Sequence, residues 1–152
     1  MLAGSCPGMT TVIAGLAENA ELCIIMRDIE TMADIQLLVN TFYGKIRQDA
    51  LLGPIFEERI APDAWGPHLE TMYRFWGAQL LGIMEYQGRP FPKHRTLPVD
   101  GKHFDQWVTL WSQTLDELFT GPRASTARVK AASIAQVFLS KILFERGIYR
   151  AQ

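Results

Sequence analysis

The sequence predicts an all-α protein built as one domain, and three observations carry that prediction. Apolar residues recur at three- and four-residue spacing through four long stretches. Those stretches begin at capping residues and end at glycine and proline. No alternating run of apolar and polar residues marks a strand. A chain of 152 residues is long enough to bury a full core.

The first stretch opens at Thr31, with Asp34 three residues later as a capping-box partner, and Ile35, Leu38, Val39, Phe42 and Ile46 then keep helical spacing. Gly53 and Pro54 in "LLGPIF" (51–56) interrupt it and predict a sharp corner. A second helix is expected over about 63–82, with Trp65, Leu69, Met72, Trp76 and Leu80 as its buried stripe and His68 and Phe75 on a flank. A third covers about 102–119 and carries Phe104, Trp107, Trp111, Leu115 and Leu118. A fourth is expected over 126–146, capped by Ser125 and stopped at Gly147. Residues 1–28 read as an extension with weak periodicity, 29–148 as the domain, and 149–152 as a tail.

Composition limits the partners. The formal net charge is −1 and no block of Lys or Arg occurs, which argues against nucleic acid and anionic lipid. Cys6 and Cys23 lack metal-ligand spacing and read as reduced thiols. No basic residue precedes Arg27, and the apolar run 22–26 is far shorter than the roughly 20 residues of a spanning helix. The expectation is a cytoplasmic monomer. Met9, Met26 and Met32 are alternative internal starts.

One histidine needs a reason. His94 lies in "GRPFPKHRTLP" (88–98), where Pro90, Pro92 and Pro98 prevent a continuous helix. The chain also holds four tryptophans, eight phenylalanines and four tyrosines, enough to line a pocket for a large flat apolar ligand as well as to fill a core. An imidazole on a rigid mount suits the axial position of haem iron, and the absence of Cys-x-x-Cys-His would make attachment non-covalent. The spacing alone leaves open a surface histidine beside Lys93 and Arg95.

Four stretches together decide further. "FYGKIRQDALLGPIF" (42–56), "WGPHLETMYRFW" (65–76), "EYQGRPFPKHRTLP" (85–98) and "HFDQWVTLW" (103–111) resemble the group III truncated haemoglobins. The likeness runs from about residue 31 to 144. It implies a truncated globin-like fold, a 2-on-2 helical sandwich around haem b. In that resemblance His94 takes the place of the proximal iron ligand. Tyr43, His68, Met72 and Trp107 take distal positions, and Phe56 packs on the haem face. Phe75 and Trp76 are expected to serve as core and haem wall together, while Lys93 and Arg95 are placed to meet the propionates. His103 has no matching role and reads as an exposed residue near a helix start.

Tyr43 and Trp107 are donors that need a partner when buried, and His68 and Met72, four apart, share one helix face. Such donors stabilise charge on a bound diatomic ligand in a dry pocket. The functional expectation is therefore binding of O2, NO, CO or peroxide, with nitric oxide dioxygenase-like or peroxidase-like chemistry in preference to bulk oxygen transport. No flavin or nicotinamide motif occurs, so turnover would require an external reductase. A haem-based gas sensor and a haem-free helical binding module remain the alternatives.

Overall fold

The computed structural model describes residues 26–148. Cys6, Cys23, Met9, most of the 1–28 extension and the 149–152 tail lie outside the described residues.

Helix α1, Met32–Gln48, starts as its sequence dictates. Thr31 accepts from the Asp34 N–H, and the Asp34 carboxylate accepts from the Thr31 N–H at 2.9 Å. Arg27 pairs with the same carboxylate. The apolar stripe Ile35, Leu38, Val39, Phe42 and Ile46 is completely buried. After Gln48 the chain turns on Asp49, whose carboxylate accepts from the N–H groups of Leu51 and Leu52 at 2.9 Å. The predicted corner contains a short helix, α2 (Gly53–Arg59). Its first residue must be glycine, because a Cβ there would lie 2.8 Å from the Arg47 carbonyl oxygen.

A 3-10 turn, Pro62–Ala64, leads into α3, Trp65–Leu81, which closes at Gly82 with φ 69°. The proline-rich crossing holds one helical turn, α4 (Phe91–His94). Helix α5, Gly101–Leu118, is capped by Asp100 and His103 in a reciprocal box. Helix α6, Pro122–Glu145, starts earlier than Ser125 allows. The cap comes from far away: Asp28 accepts from the N–H groups of Arg123 and Ala124, both at 2.9 Å. Arg27 also joins the frame, its carbonyl accepting from the Thr120 N–H at 3.1 Å. Arg27 and Asp28, which the sequence places in the extension, are thus tied to the helical body.

The four long helices form two crossed pairs. Helix α1 packs on α3 and α5, α5 on α6, and α6 on α3. Close approach of α5 and α6 is permitted by Ala124, Ala127, Ala131 and Ala135, which recur at three- and four-residue spacing on the buried face of α6. Trp111 sits across that seam, fully buried, and its indole N–H donates to the Ala127 carbonyl at 3.2 Å. This is the 2-on-2 arrangement the sequence predicts. Among the described residues there is no strand, and no helix is long and apolar enough to cross a membrane.

Candidate functional site

Among the described residues the helical sandwich leaves a deep cavity, with about 890 Å³ between its lining atoms, open mouth and adjoining solvent included. Most of that lining is apolar, which suits a ligand with a broad apolar surface to bury. The polar groups that reach it are few: Tyr43 from α1, His68 from α3, His94 from α4, and His103 and Trp107 from α5.

His94 explains its proline frame. Pro90 caps the α4 turn, and its carbonyl oxygen lies 2.7 Å from His94 Nδ1. A carbonyl only accepts, so the bond places the proton of the neutral ring on Nδ1 and leaves the Nε2 lone pair available. Burial holds the imidazole below its ordinary pKa, against the pull of the Pro90 carbonyl, and the Lys93 ammonium acts in the same direction as burial. Phe138 of α6 packs on the ring at 4.9 Å between centroids. The loop behind is clamped by two guanidiniums. Arg59 donates to the Thr96 carbonyl at 2.9 Å, and Arg146 donates to those of Leu97 and Val99 at 2.6 and 2.7 Å. Sequence spacing reveals neither clamp.

Tyr43 and His68 stand together on another part of the wall, their ring centroids 5.1 Å apart and their planes nearly perpendicular. Burial alone pushes the Tyr43 hydroxyl far above its ordinary pKa, so it keeps its proton. Burial first, then the charges of His94 and Lys93, push His68 down to about 4. Its Nε2 is buried and has no hydrogen-bond partner among the described residues. A buried polar atom without a partner carries a desolvation cost that a ligand with a polar atom would relieve.

The sequence-derived residues separate as follows. Tyr43, Phe56, His68, Met72, Phe75, His94 and Trp107 all line the cavity. Trp76, Lys93 and Arg95 do not. Trp76 lies about a quarter-turn beyond Phe75 on α3, which carries it away from the cavity into the core, where it stacks on Trp111 at 4.3 Å. Arg95 is directed to Glu145 at 2.7 Å, leaving Lys93 as an exposed ammonium near the two histidines. His103 corrects the expectation of an exposed residue: its side chain is 12% exposed, lines the cavity and completes the α5 capping box with Asp100. Sequence reasoning also omits Phe104, Ile134 and Phe138 from the wall. Their signal was available, since Phe104 precedes Trp107 by three on α5 and Ile134 precedes Phe138 by four on α6.

An all-helical sandwich whose cavity is entered by a backbone-anchored imidazole defines a protein of the globin class. A family model for bacterial-like globins matches residues 27–138. The chain is 32% identical over 116 residues to a group 3 truncated haemoglobin of Campylobacter jejuni, covering 74% of this chain and 91% of that protein. The crystal structure of a group III truncated haemoglobin from Campylobacter jejuni superposes with a TM-score of 0.70 at 29% identity, covering 78% of this chain and 95% of that one. The chain belongs to the bacterial-like globin family, in its group III truncated haemoglobin branch. As a globin it is a haem protein that binds small gas ligands. The residues present fit that group: an apolar cleft, an imidazole with a free nitrogen, and an orphaned polar atom at the same cavity.

Proposed function

We propose that the protein holds haem b non-covalently, with His94 Nε2 as the iron ligand and a polar distal side formed by Tyr43, His68 and Trp107 beside Met72. Its work is chemistry on oxygen, nitric oxide or peroxide, in preference to bulk oxygen transport. The observation that carries this reading is the bond from His94 Nδ1 to the Pro90 carbonyl, which fixes the ring and frees the opposite nitrogen. Non-covalent attachment is supported by the absence of a Cys-x-x-Cys-His motif from the sequence. Haem held in this cavity would supply a redox-active iron for the chemistry of small diatomic ligands.

The chain's own residues do the rest. The α2, α5 and α6 walls, through Phe56, Phe104 and Phe138, exclude water from the faces of a planar ligand. The Tyr43 hydroxyl, kept protonated by burial, donates toward charge that develops on a small ligand. His68 is neutral at pH 7, so it donates or accepts one proton without placing a second cation beside His94. Met72, one turn along α3, gives the same wall an apolar side. Among the described residues Lys93 is an exposed cation whose charge acts on both His68 and His94, and it is suited to a propionate, whereas Arg95 serves Glu145. A distal side rich in donors retains oxygen, and retention opposes delivery but favours reaction in place. A separate reductase would restore ferrous iron to this cytoplasmic monomer.

The test is an absorption spectrum of protein produced with haem supplied, oxidised and reduced, with and without carbon monoxide. A Soret band that is lost or displaced in His94→Ala is the expected result. Colourless protein, or an iron spectrum unaltered in that variant, overturns the reading.

A further inference from the structure

The geometry points to a redox role for the buried tryptophans: Trp107, Trp111 and Trp76 form a conduit that supplies electrons to a hydroperoxide reduced in the cavity, with Tyr86 as terminal donor. The inference rests on the haem reading above and adds to it the source of the electrons.

Most aromatic pairs in the described residues meet edge-on, as Phe42 does with Tyr43, Trp107 and Trp111. Three tryptophans also meet one another face to face. Trp107, at the cavity wall, lies parallel to Trp111, with planes 1° apart and centroids 6.0 Å apart. Trp111 stacks on Trp76 at 4.3 Å and 23°. Phe75 then bridges Trp76 to Tyr86, each step 5.2 Å between centroids. The ring centroids along this path are 4.3 to 6.0 Å apart, and Phe75, which is not itself oxidised, fills the space between Trp76 and Tyr86, so an electron tunnels from phenol to indole through packed aromatic matter.

The chemistry of the rings fits the order. Indole is the most readily oxidised aromatic side chain after deprotonated phenol, and two stacked indoles share a positive charge better than one. The Trp111 N–H donates to the Ala127 carbonyl, which is too weak a base to take its proton. A hole on this pair therefore stays a radical cation and stays mobile. Tyr86 is half-buried, and its ring lies close over Gly88, where a Cβ would meet the phenol oxygen at 2.6 Å. Its side chain is partly exposed, unlike those of Trp76 and Trp111, and there the phenol can lose its proton to solvent.

The balance closes within the chain. Cleavage of the O–O bond of hydrogen peroxide consumes two electrons and two protons and yields two waters. One electron comes from Tyr86, whose O–H bond breaks to give a phenoxyl radical and a proton to solvent. The other comes from the Trp76–Trp111 pair, which is left as a radical cation. The net uptake from solvent is one proton.

The experiment uses the ferric holoprotein and hydrogen peroxide, with freeze-quenched electron paramagnetic resonance and mass-spectrometric mapping of oxidised residues. An indole radical followed by a phenoxyl radical is expected, with oxidation mapped to Trp76, Trp111 and Tyr86. In Trp111→Phe the indole signal falls several-fold and oxidation at Tyr86 falls with it. In Tyr86→Phe, which alters a half-exposed side chain and keeps the core intact, the phenoxyl signal disappears and the indole signal lasts longer. The conduit is overturned if both variants give wild-type signals and oxidation maps, or if no protein radical forms although the Soret band responds to peroxide. A misfolded Trp111→Phe leaves Tyr86→Phe to decide alone. A sample with no Soret band overturns the haem reading, and this inference with it.

Discussion

At the scale of single residues, the site depends on protons being held where a ligand can use them. Tyr43 is the clearest case, because burial without a charged partner keeps its hydroxyl protonated across the whole physiological range. A hydrogen bond to a charge-bearing acceptor is worth about 1.5–3 kcal/mol. Loss of that donor in Tyr43→Phe is therefore expected to speed oxygen release about 10- to 100-fold, since about 1.4 kcal/mol is tenfold. Stopped-flow displacement of oxygen by carbon monoxide checks it, and an unchanged rate in both Tyr43→Phe and Trp107→Phe removes the distal-donor argument. Most of these residues were legible because their placement is local. His68 and Met72 share a face by being four apart, and His94 is isolated by its prolines. Trp76 was not, because a single residue of helical phase separates it from Phe75 and decides between core and cavity. His103 was missed for a related reason: its capping bond to Asp100 is local, but its burial comes from the cavity wall.

At the scale of elements, the two caps show what a sequence can and cannot disclose. The α1 start is written within four residues, Thr31 to Asp34, and the structure reproduces it. The α6 start is written 95 and 96 residues away, in Asp28, whereas the local sequence offers only Ser125 as a cap. Gly121 completes the junction with φ 141°, and a Cβ there would lie 2.5 Å from the Asp28 carboxyl carbon. Asp28→Ala is expected to cost about 1–2 kcal/mol, the range for a lost helix cap. A lower urea midpoint with unchanged slope is the signature. Asp34 adds a pH dependence. Its bond from Arg27, opposed by burial and aided by the N–H groups of Glu30 and Thr31, holds the carboxyl well below its ordinary pKa. A depressed folded-state pKa contributes stability that is present above the unfolded value of about 3.9 and is lost as pH falls through the folded value. Denaturation midpoints of the wild type are therefore expected to fall below pH 4, with a shallower acid limb in Asp34→Asn. Parallel acid limbs in the two proteins remove Asp34 as the cause.

At the scale of the molecule, the cavity and the fold are energetically one object. Helices α1, α2, α3, α5 and α6 all contribute wall residues, so a ligand that fills the cavity binds the assembled fold and has little affinity for the unfolded chain. Binding then stabilises the native state by mass action, by about 2.7 kcal/mol when free ligand is a hundredfold above its dissociation constant. For a chain of this size about 1 kcal/mol shifts the melting temperature by roughly 2–4 °C. Haem-free protein is therefore expected to melt about 5–10 °C below the haem-loaded form, with the deficit restored when haem is added back. His94→Ala separates the two sources of that gain. It keeps the apolar walls, so it retains the part that comes from burying a flat hydrophobic ligand, but it loses the part that comes from the iron bond. Its haem-induced shift should be smaller than that of the wild type while its haem-free melting temperature stays close, because His94 is bonded to a local carbonyl and packs chiefly on Phe138. Equal shifts in the two proteins would mean that the cavity recognises the ring alone and that the imidazole contributes no bond to the metal.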